Sequence, residues 1–261
     1  MFDYHMHSKV SFDSEEEPIE IVKSAEEKGL LEICFTDHFD YSSDKNAHHD
    51  LFTLEEYTKA YGNLTSDKVN IRRGVEAGLT WWNKKELEEF INKAKFDFVL
   101  GSIHYVDGLD PYFEEFWDGI TFREAIEKYM NETLKCVKIH DNFDVLGHLT
   151  YVCKSSHNPT GKGVSYSKIS DITDEIFKIL ISKGKGIEVN TSGVDRIGDF
   201  LPTLEYVKRF RELGGEIITV GSDSHDRNRV GQYSKEAIEM IGQVFPNVCT
   251  FSEREPIFHK I

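Results

Sequence analysis

Histidines and carboxylates recur along this chain in short groups of the kind that bind metal ions. Asp3, His5 and His7 alternate near the start. Asp37 and His38 are adjacent, Glu76, His104 and His148 follow at intervals, and Glu188 sits two residues before Asn190. Asp223 and His225 close the series within Gly221-Ser222-Asp223-Ser224-His225-Asp226. A nitrogen and oxygen donor set without cysteine suits Zn²⁺, Fe²⁺ or Mn²⁺ better than the oxygen-only preferences of Ca²⁺ or Mg²⁺.

The elements that position these residues follow from hydrophobic patterning. Short apolar runs predict strands over 2–7, 32–36, 70–74, 96–103, 143–149, 186–190, 216–221 and 248–251. Amphipathic stretches predict helices over 18–28, 54–63, 85–94, 122–139, 169–182, 203–213 and 235–241. Pro18 after three acidic residues marks a helix start, and Gly29 and Gly214 mark helix ends. Strand–helix alternation implies parallel strands joined by crossover helices, and seven or eight units favour a closed barrel over an open sheet. The histidines and acids then stand at the C-terminal ends of the strands, the face on which such barrels build active sites. A single histidine at a strand end is usually a structural hydrogen-bonder. Seven strand ends carrying such groups in register are harder to explain that way, because unpaired charges facing one another are costly unless a metal neutralises them.

The 261 residues suit one domain spanning 1–261, and 39% hydrophobic with 30% charged residues is ordinary for a soluble enzyme. A formal charge of −15 argues against nucleic-acid partners, although bound metal reverses the field locally. No apolar run reaches a membrane span and no signal peptide precedes the first strand. Cys34, Cys136, Cys153 and Cys249 form no CxxC pair, which fits reduced thiols and a cytoplasmic location. No feature of the sequence sets an oligomeric state.

Asp3-Tyr4-His5-Met6-His7-Ser8, Phe35-Thr36-Asp37-His38, Gly74-Val75-Glu76, Gly101-Ser102-Ile103-His104, Leu146-Gly147-His148 and Gly221-Ser222-Asp223-Ser224-His225 occur in that order. Together they resemble the PHP (polymerase and histidinol phosphatase) family across residues 3 to 225. The resemblance implies a distorted (β/α)7 TIM-like α/β barrel with two or three divalent metal ions. One ion would take His5, His7, Glu76 and Asp223, and a second would share Glu76 and add His104 and His148. A third would take His38 and His225 with Asp13, at a position where another branch of the family has histidine. Asp3 and Asp37 are expected to orient ligand histidines through their other ring nitrogens. The chain length and the closing Phe251-Ser252-Glu253-Arg254-Glu255-Pro256 resemble the free-standing branch that hydrolyses histidinol phosphate in histidine biosynthesis.

In that chemistry two metals about 3.5–4 Å apart hold a bridging hydroxide that attacks phosphorus. Glu76 and Asp223 fix the metals, and a cation must face the phosphoryl oxygens. Arg196 is the first candidate, with Lys154, Ser102 and His157 completing the expected substrate pocket and His157 a possible general acid. Asp107, Asp110, Glu114 and Glu115 offer an acidic rim for the ammonium and imidazole that a small-molecule phosphate ester such as histidinol phosphate carries beside its phosphate. Trp81 and Trp82 could wall the pocket, whereas His48, His49, His140 and His259 are expected to be structural, His140 as an imidazolium at a helix end. Rival readings are a PHP phosphoesterase for another small ester or nucleotide, an amidohydrolase-like C–N hydrolase, and a non-catalytic metal scaffold. The bridging Glu76 and the Gly-Ser-x-His of residues 101–104 separate the first of these from the second.

Overall fold

The computed structural model describes residues 1–41 and 50–261, so His48 and His49 lie outside the described residues. Seven parallel strand positions form the barrel. They are β1 (Phe2–Asp3), β2 (Glu32–Phe35) continued by β3 (His38–Phe39), β4 (Asn70–Gly78), β5 (Phe98–Ser102), β6 (Val145–Leu146), β7 (Gly186–Asn190) and β8 (Ile218–Gly221). Both β2 and β3 pair with β4, so the pair is one strand interrupted at Thr36–Asp37. The ring closes where the Tyr4 amide donates to the Val220 carbonyl at 2.8 Å. The last two strands, β9 (Asn247–Ser252) and β10 (Glu255–Lys260), form an antiparallel hairpin apart from the ring. The expected strand over 248–251 therefore exists but is not a barrel strand.

The helices α1 (Pro18–Glu27), α2 (Leu54–Tyr61), α3 (Lys84–Lys93), α4 (Phe122–Ile139), α5 (Ser170–Ser182), the single turn α6 (Val194–Ile197), α7 (Leu204–Glu212) and α8 (Ser234–Ile241) fill the intervals. Their starts have local causes. Thr53 and Thr121 each accept from the amide three residues on, while Glu56 and Glu124 reach back to the cap amide. Pro18 occupies the first turn of α1, where its missing N–H costs nothing. Strand β7 is buried at all five positions, as a parallel strand covered on both faces must be. Its Glu188 and Asn190 are thus buried polar groups, a sign of function within an apolar sheet.

Strand β1 is shorter than expected. Its ladder to β2 covers only Phe2 and Asp3, and beyond it single backbone bonds run from the Asp223 amide to His5 and from the His7 amide to Ser224. The two-residue alternation therefore does not carry Asp3 onto the face of His5 and His7.

Candidate metal centre

Glu76 lies inside β4, because that strand runs to Gly78, and it is in register with His38 of β3. Its two oxygens face different groups of histidines. Oε2 is 3.2 Å from His5 Nε2, 3.5 Å from His7 Nε2 and 3.0 Å from His38 Nδ1. Oε1 is 2.8 Å from His148 Nε2 and 3.2 Å from His104 Nε2. Asp223 Oδ1 completes the first group, 3.7 Å from His5 Nε2 and 3.5 Å from His7 Nε2. Asp223 carries a positive φ of 54°, uncommon without glycine, and its amide is tied to the His5 carbonyl at 2.8 Å. A third group forms at the rim, where Asp13 Oδ2 is 2.9 Å from His225 Nε2 and 3.5 Å from His38 Nε2.

These spacings fit a divalent cation. Ligands about 2.1 Å from a tetrahedral ion stand about 3.4 Å apart, close to the 3.2–3.7 Å separations among His5, His7, Glu76 and Asp223. Three atoms that would ligate are also orphans: His5 Nε2, His7 Nε2 and Glu76 Oε2 are buried with no hydrogen-bond partner. Orphaned polar atoms of this kind are costly and call for an ion. Ligand atoms of His5, His7 and Asp223, of His5, Glu76 and His148, and of His7, Asp13, His38 and His225 each fall within 4.8 Å of one another. The carboxylates also set the local charge. Burial alone would lower the His5 pKa, but Glu76, Glu188 and Asp223 raise it well above its ordinary value. His104, buried likewise, is lifted to about 10 by Asp40 and Glu76. His7 goes the other way, lowered by burial and by His225 and His38.

The residues behind the ligands differ from those expected. Asp3 does not reach a ring nitrogen. It accepts from the Ser222 amide at 2.8 Å and the Gly231 amide at 2.7 Å, anchoring the segment that carries Asp223. Asp37 acts one step removed: it accepts from the Ser8 amide at 2.8 Å and from Ser11 Oγ at 3.2 Å, and Ser11 Oγ meets His7 Nδ1 at 3.0 Å. The direct ring contacts belong to Glu188, 2.7 Å from His5 Nδ1, and to Asp40, 3.0 Å from His104 Nδ1 and 3.2 Å from His38 Nδ1. Sequence reasoning placed Glu188 on its strand without a task and passed over Asp40, whose position two residues after His38 was the available signal. Ser102 is fully buried and donates to Glu76 Oε1 at 2.7 Å, so it supports the bridging carboxylate and cannot line a substrate pocket.

A cleft of about 1090 Å³ opens above the cluster. Lys154, Ser192, Arg196 and Arg229 are on its wall. Lys154 Nζ is 2.5 Å from Asp223 Oδ2 and 3.1 Å from Ser192 Oγ. Arg196 is exposed and reaches the Tyr112 hydroxyl at 3.5 Å. Asp110 and Glu115 of the acidic segment face the cleft, and Asp107 and Glu114 do not. His157 is exposed and is not among the residues that line the cleft. Trp81 also lies elsewhere, under Lys135 at 4.5 Å. His140 caps α4 but is buried, its Nε2–H donating to the Thr80 carbonyl at 2.7 Å, and burial lowers its pKa instead of favouring an imidazolium. His259 pairs with Thr250 Oγ1 at 2.7 Å on the terminal hairpin.

Known proteins resemble this chain along most of its length. The PHP domain model matches residues 3–192. A histidinol-phosphatase of Lactococcus lactis subsp. lactis is 35% identical, with 96% of this chain and 94% of the relative covered. A probable histidinol-phosphatase of Clostridium acetobutylicum is 32% identical, covering 92% of each. Among solved structures, the histidinol phosphate phosphatase of Lactococcus lactis, complexed with zinc, L-histidinol and phosphate, superposes with a TM-score of 0.85 at 32% identity over 98% of both chains. The family model covers more than half of the chain and the relatives match along nearly all of it, and the chain belongs to the PHP-domain family.

Proposed function

We propose that this protein hydrolyses L-histidinol phosphate to L-histidinol and phosphate at a centre of two or three divalent metal ions. The observation that carries the metal reading is Glu76, whose two oxygens face two separate groups of histidines. His5, His7 and Asp223 would hold one ion with Glu76, His104 and His148 a second, and Asp13, His38 and His225 a third. Bound ions supply Lewis acidity and a water acidic enough to ionise near neutral pH. Support for the substrate comes from the Lactococcus lactis relative and its complex.

The chain's own residues then divide the substrate. Lys154 and Arg196 meet the phosphoryl oxygens, Lys154 from beside Asp223 and Arg196 from the cleft wall, where its fork geometry suits phosphate. Asp110 and Glu115 add carboxylates to the cleft lining for the ammonium and imidazole of histidinol. The net charge of −15 disfavours nucleic acid as a partner, and four free buried cysteines fit a cytoplasmic enzyme. No helix among the described residues is long and apolar enough to cross a membrane.

Phosphate release from L-histidinol phosphate by metal-reconstituted protein, beside nucleotides and sugar phosphates, tests this reading. Histidinol phosphate should lead by orders of magnitude in kcat/KM. Equally slow turnover of every ester would defeat the substrate assignment.

A further inference from the structure

Glu188 is a carboxylate buried at 1% exposure beneath the cluster, and among the described residues neither lysine nor arginine pairs with it. Its two oxygens have separate duties. Oε1 stands 2.7 Å from His5 Nδ1. Oε2 accepts from the His148 amide at 2.8 Å and from Asn190 Nδ2 at 3.1 Å. The space it fills is made by Gly221: a Cβ there would lie 2.1 Å from Glu188 Oε1 and 2.3 Å from His5 Cβ. Neither distance is sterically possible, so any side chain at residue 221 would push the carboxylate or His5 away.

We infer that Glu188, seated in the socket left by Gly221, is a positioning residue that sets His5 and His148 together, the two histidines on opposite oxygens of Glu76. An ionised carboxylate only accepts hydrogen bonds. His5 Nδ1 must therefore carry the proton, which leaves the Nε2 lone pair directed at the gap between Glu76 and Asp223. The second oxygen fixes the backbone at His148, whose Nε2 points at the other oxygen of Glu76. One side chain thereby couples two ligand groups on separate elements, β7 reaching both the segment after β1 and the segment after β6.

Glutamine at position 188 has nearly the same volume and cannot do this. If its amide oxygen serves the His148 and Asn190 donors, its NH₂ faces His5 Nδ1 and demands the tautomer with the proton on Nε2, which cannot ligate. If it is turned over, its NH₂ opposes the His148 N–H. Packing is preserved in either case, and ligand geometry is not.

The inference rests on the metal-centre reading, so metal binding is measured and not turnover. Zn²⁺ affinity by chelator competition, and the visible spectrum of the Co²⁺-loaded protein, are compared for wild type, Glu188→Gln and Gly221→Ala, with circular dichroism and melting of each metal-free protein as the folding control. Glu188→Gln should melt like wild type when metal-free, bind about 10- to 100-fold more weakly at one or more sites, and show an altered Co²⁺ spectrum. Gly221→Ala should weaken binding in the same direction. Wild-type affinity and spectrum in a folded Glu188→Gln protein overturn the inference alone, whereas a wild-type protein that binds no metal overturns the centre itself. If the variants do not fold, ¹⁵N-histidine spectra of Zn²⁺-loaded wild type decide. His5, assigned by the signal missing from His5→Gln, must be protonated at Nδ1 and metallated at Nε2, and the reverse tautomer excludes the role.

Discussion

The two ends of the barrel treat buried charge in opposite ways. At the N-terminal end, Tyr4, Cys34, Phe98, Leu100, Val145, Cys249 and Phe251 form an apolar plug, the last two supplied by β9. The carboxylates beside it face arginines: Asp144 is 2.5 Å from Arg254 Nε, and Glu32 is 3.3 Å from Arg72 Nη2. Phe251 is further fixed by its amide donating to the Tyr4 hydroxyl at 2.9 Å. At the C-terminal end, Glu76 and Asp223 face His5 Nε2 and His7 Nε2, which have no hydrogen-bond partner, with Lys154 the nearest permanent cation. One end carries its own counter-charge and serves stability. The other leaves the counter-charge to be bound from outside, and so does chemistry.

Substitutions at the two ends should therefore fail differently. The largest effect is expected at Glu76. Glu76→Gln removes the carboxylate common to two ligand groups, and losing Lewis-acid stabilisation of several kcal/mol should cut kcat/KM by about a thousandfold or more together with metal content. Normal turnover by that variant would erase the distinction drawn between the ends. Next comes the plug: Phe251→Ala should cost about 3–5 kcal/mol in denaturant unfolding and leave the number of bound ions unchanged. Equal loss of metal in this variant would mean the ends are not independent. Arg196→Ala should lower kcat/KM by about 10- to 100-fold, the worth of one charge-assisted hydrogen bond of about 1.5–3 kcal/mol, with metal retained. Unaltered kinetics would return Arg196 to the surface.

The smallest effect belongs to neither end. His140 has a pKa depressed below its ordinary 6.5 by burial. Its contribution to stability is present above the unfolded value near 6.5 and is lost as pH falls through the lower folded value, because the unfolded chain takes up the proton first. Replacing it by asparagine should make the stability of metal-loaded protein fall less between pH 7 and pH 5. An unchanged acid slope would remove His140 as a contributor.

Much of this organisation is legible in the sequence where a period is long. Helix α4 begins and ends where its apolar spacing predicts, and β7 has the bounds expected of it. The histidines proposed as ligands are visible because each lies at or shortly after a strand. What was hidden depends on contacts between distant segments. Asp40 meets His104 across 64 residues, and Lys154 meets Asp223 across 69. The spacing of Asp40 to His38 is local, but neither long-range pairing can be read from it or from the surroundings of Lys154. Asp3 was misjudged because regular pairing of β1 stops after two residues, so a strand period no longer governed its side chain. Ser102 was misjudged because its place beside His104 in the chain says nothing about depth, which burial beneath Glu76 decides.

The contrast between the ends is tested most directly by elemental analysis of the purified protein after equilibration with Zn²⁺ or Mn²⁺ and removal of free metal. Two or three ions per chain, falling when Glu76 is replaced and unmoved when Phe251 is replaced, are expected. A chain that retains no divalent ion would show that its histidines and carboxylates satisfy one another, and the metal centre would have to be abandoned.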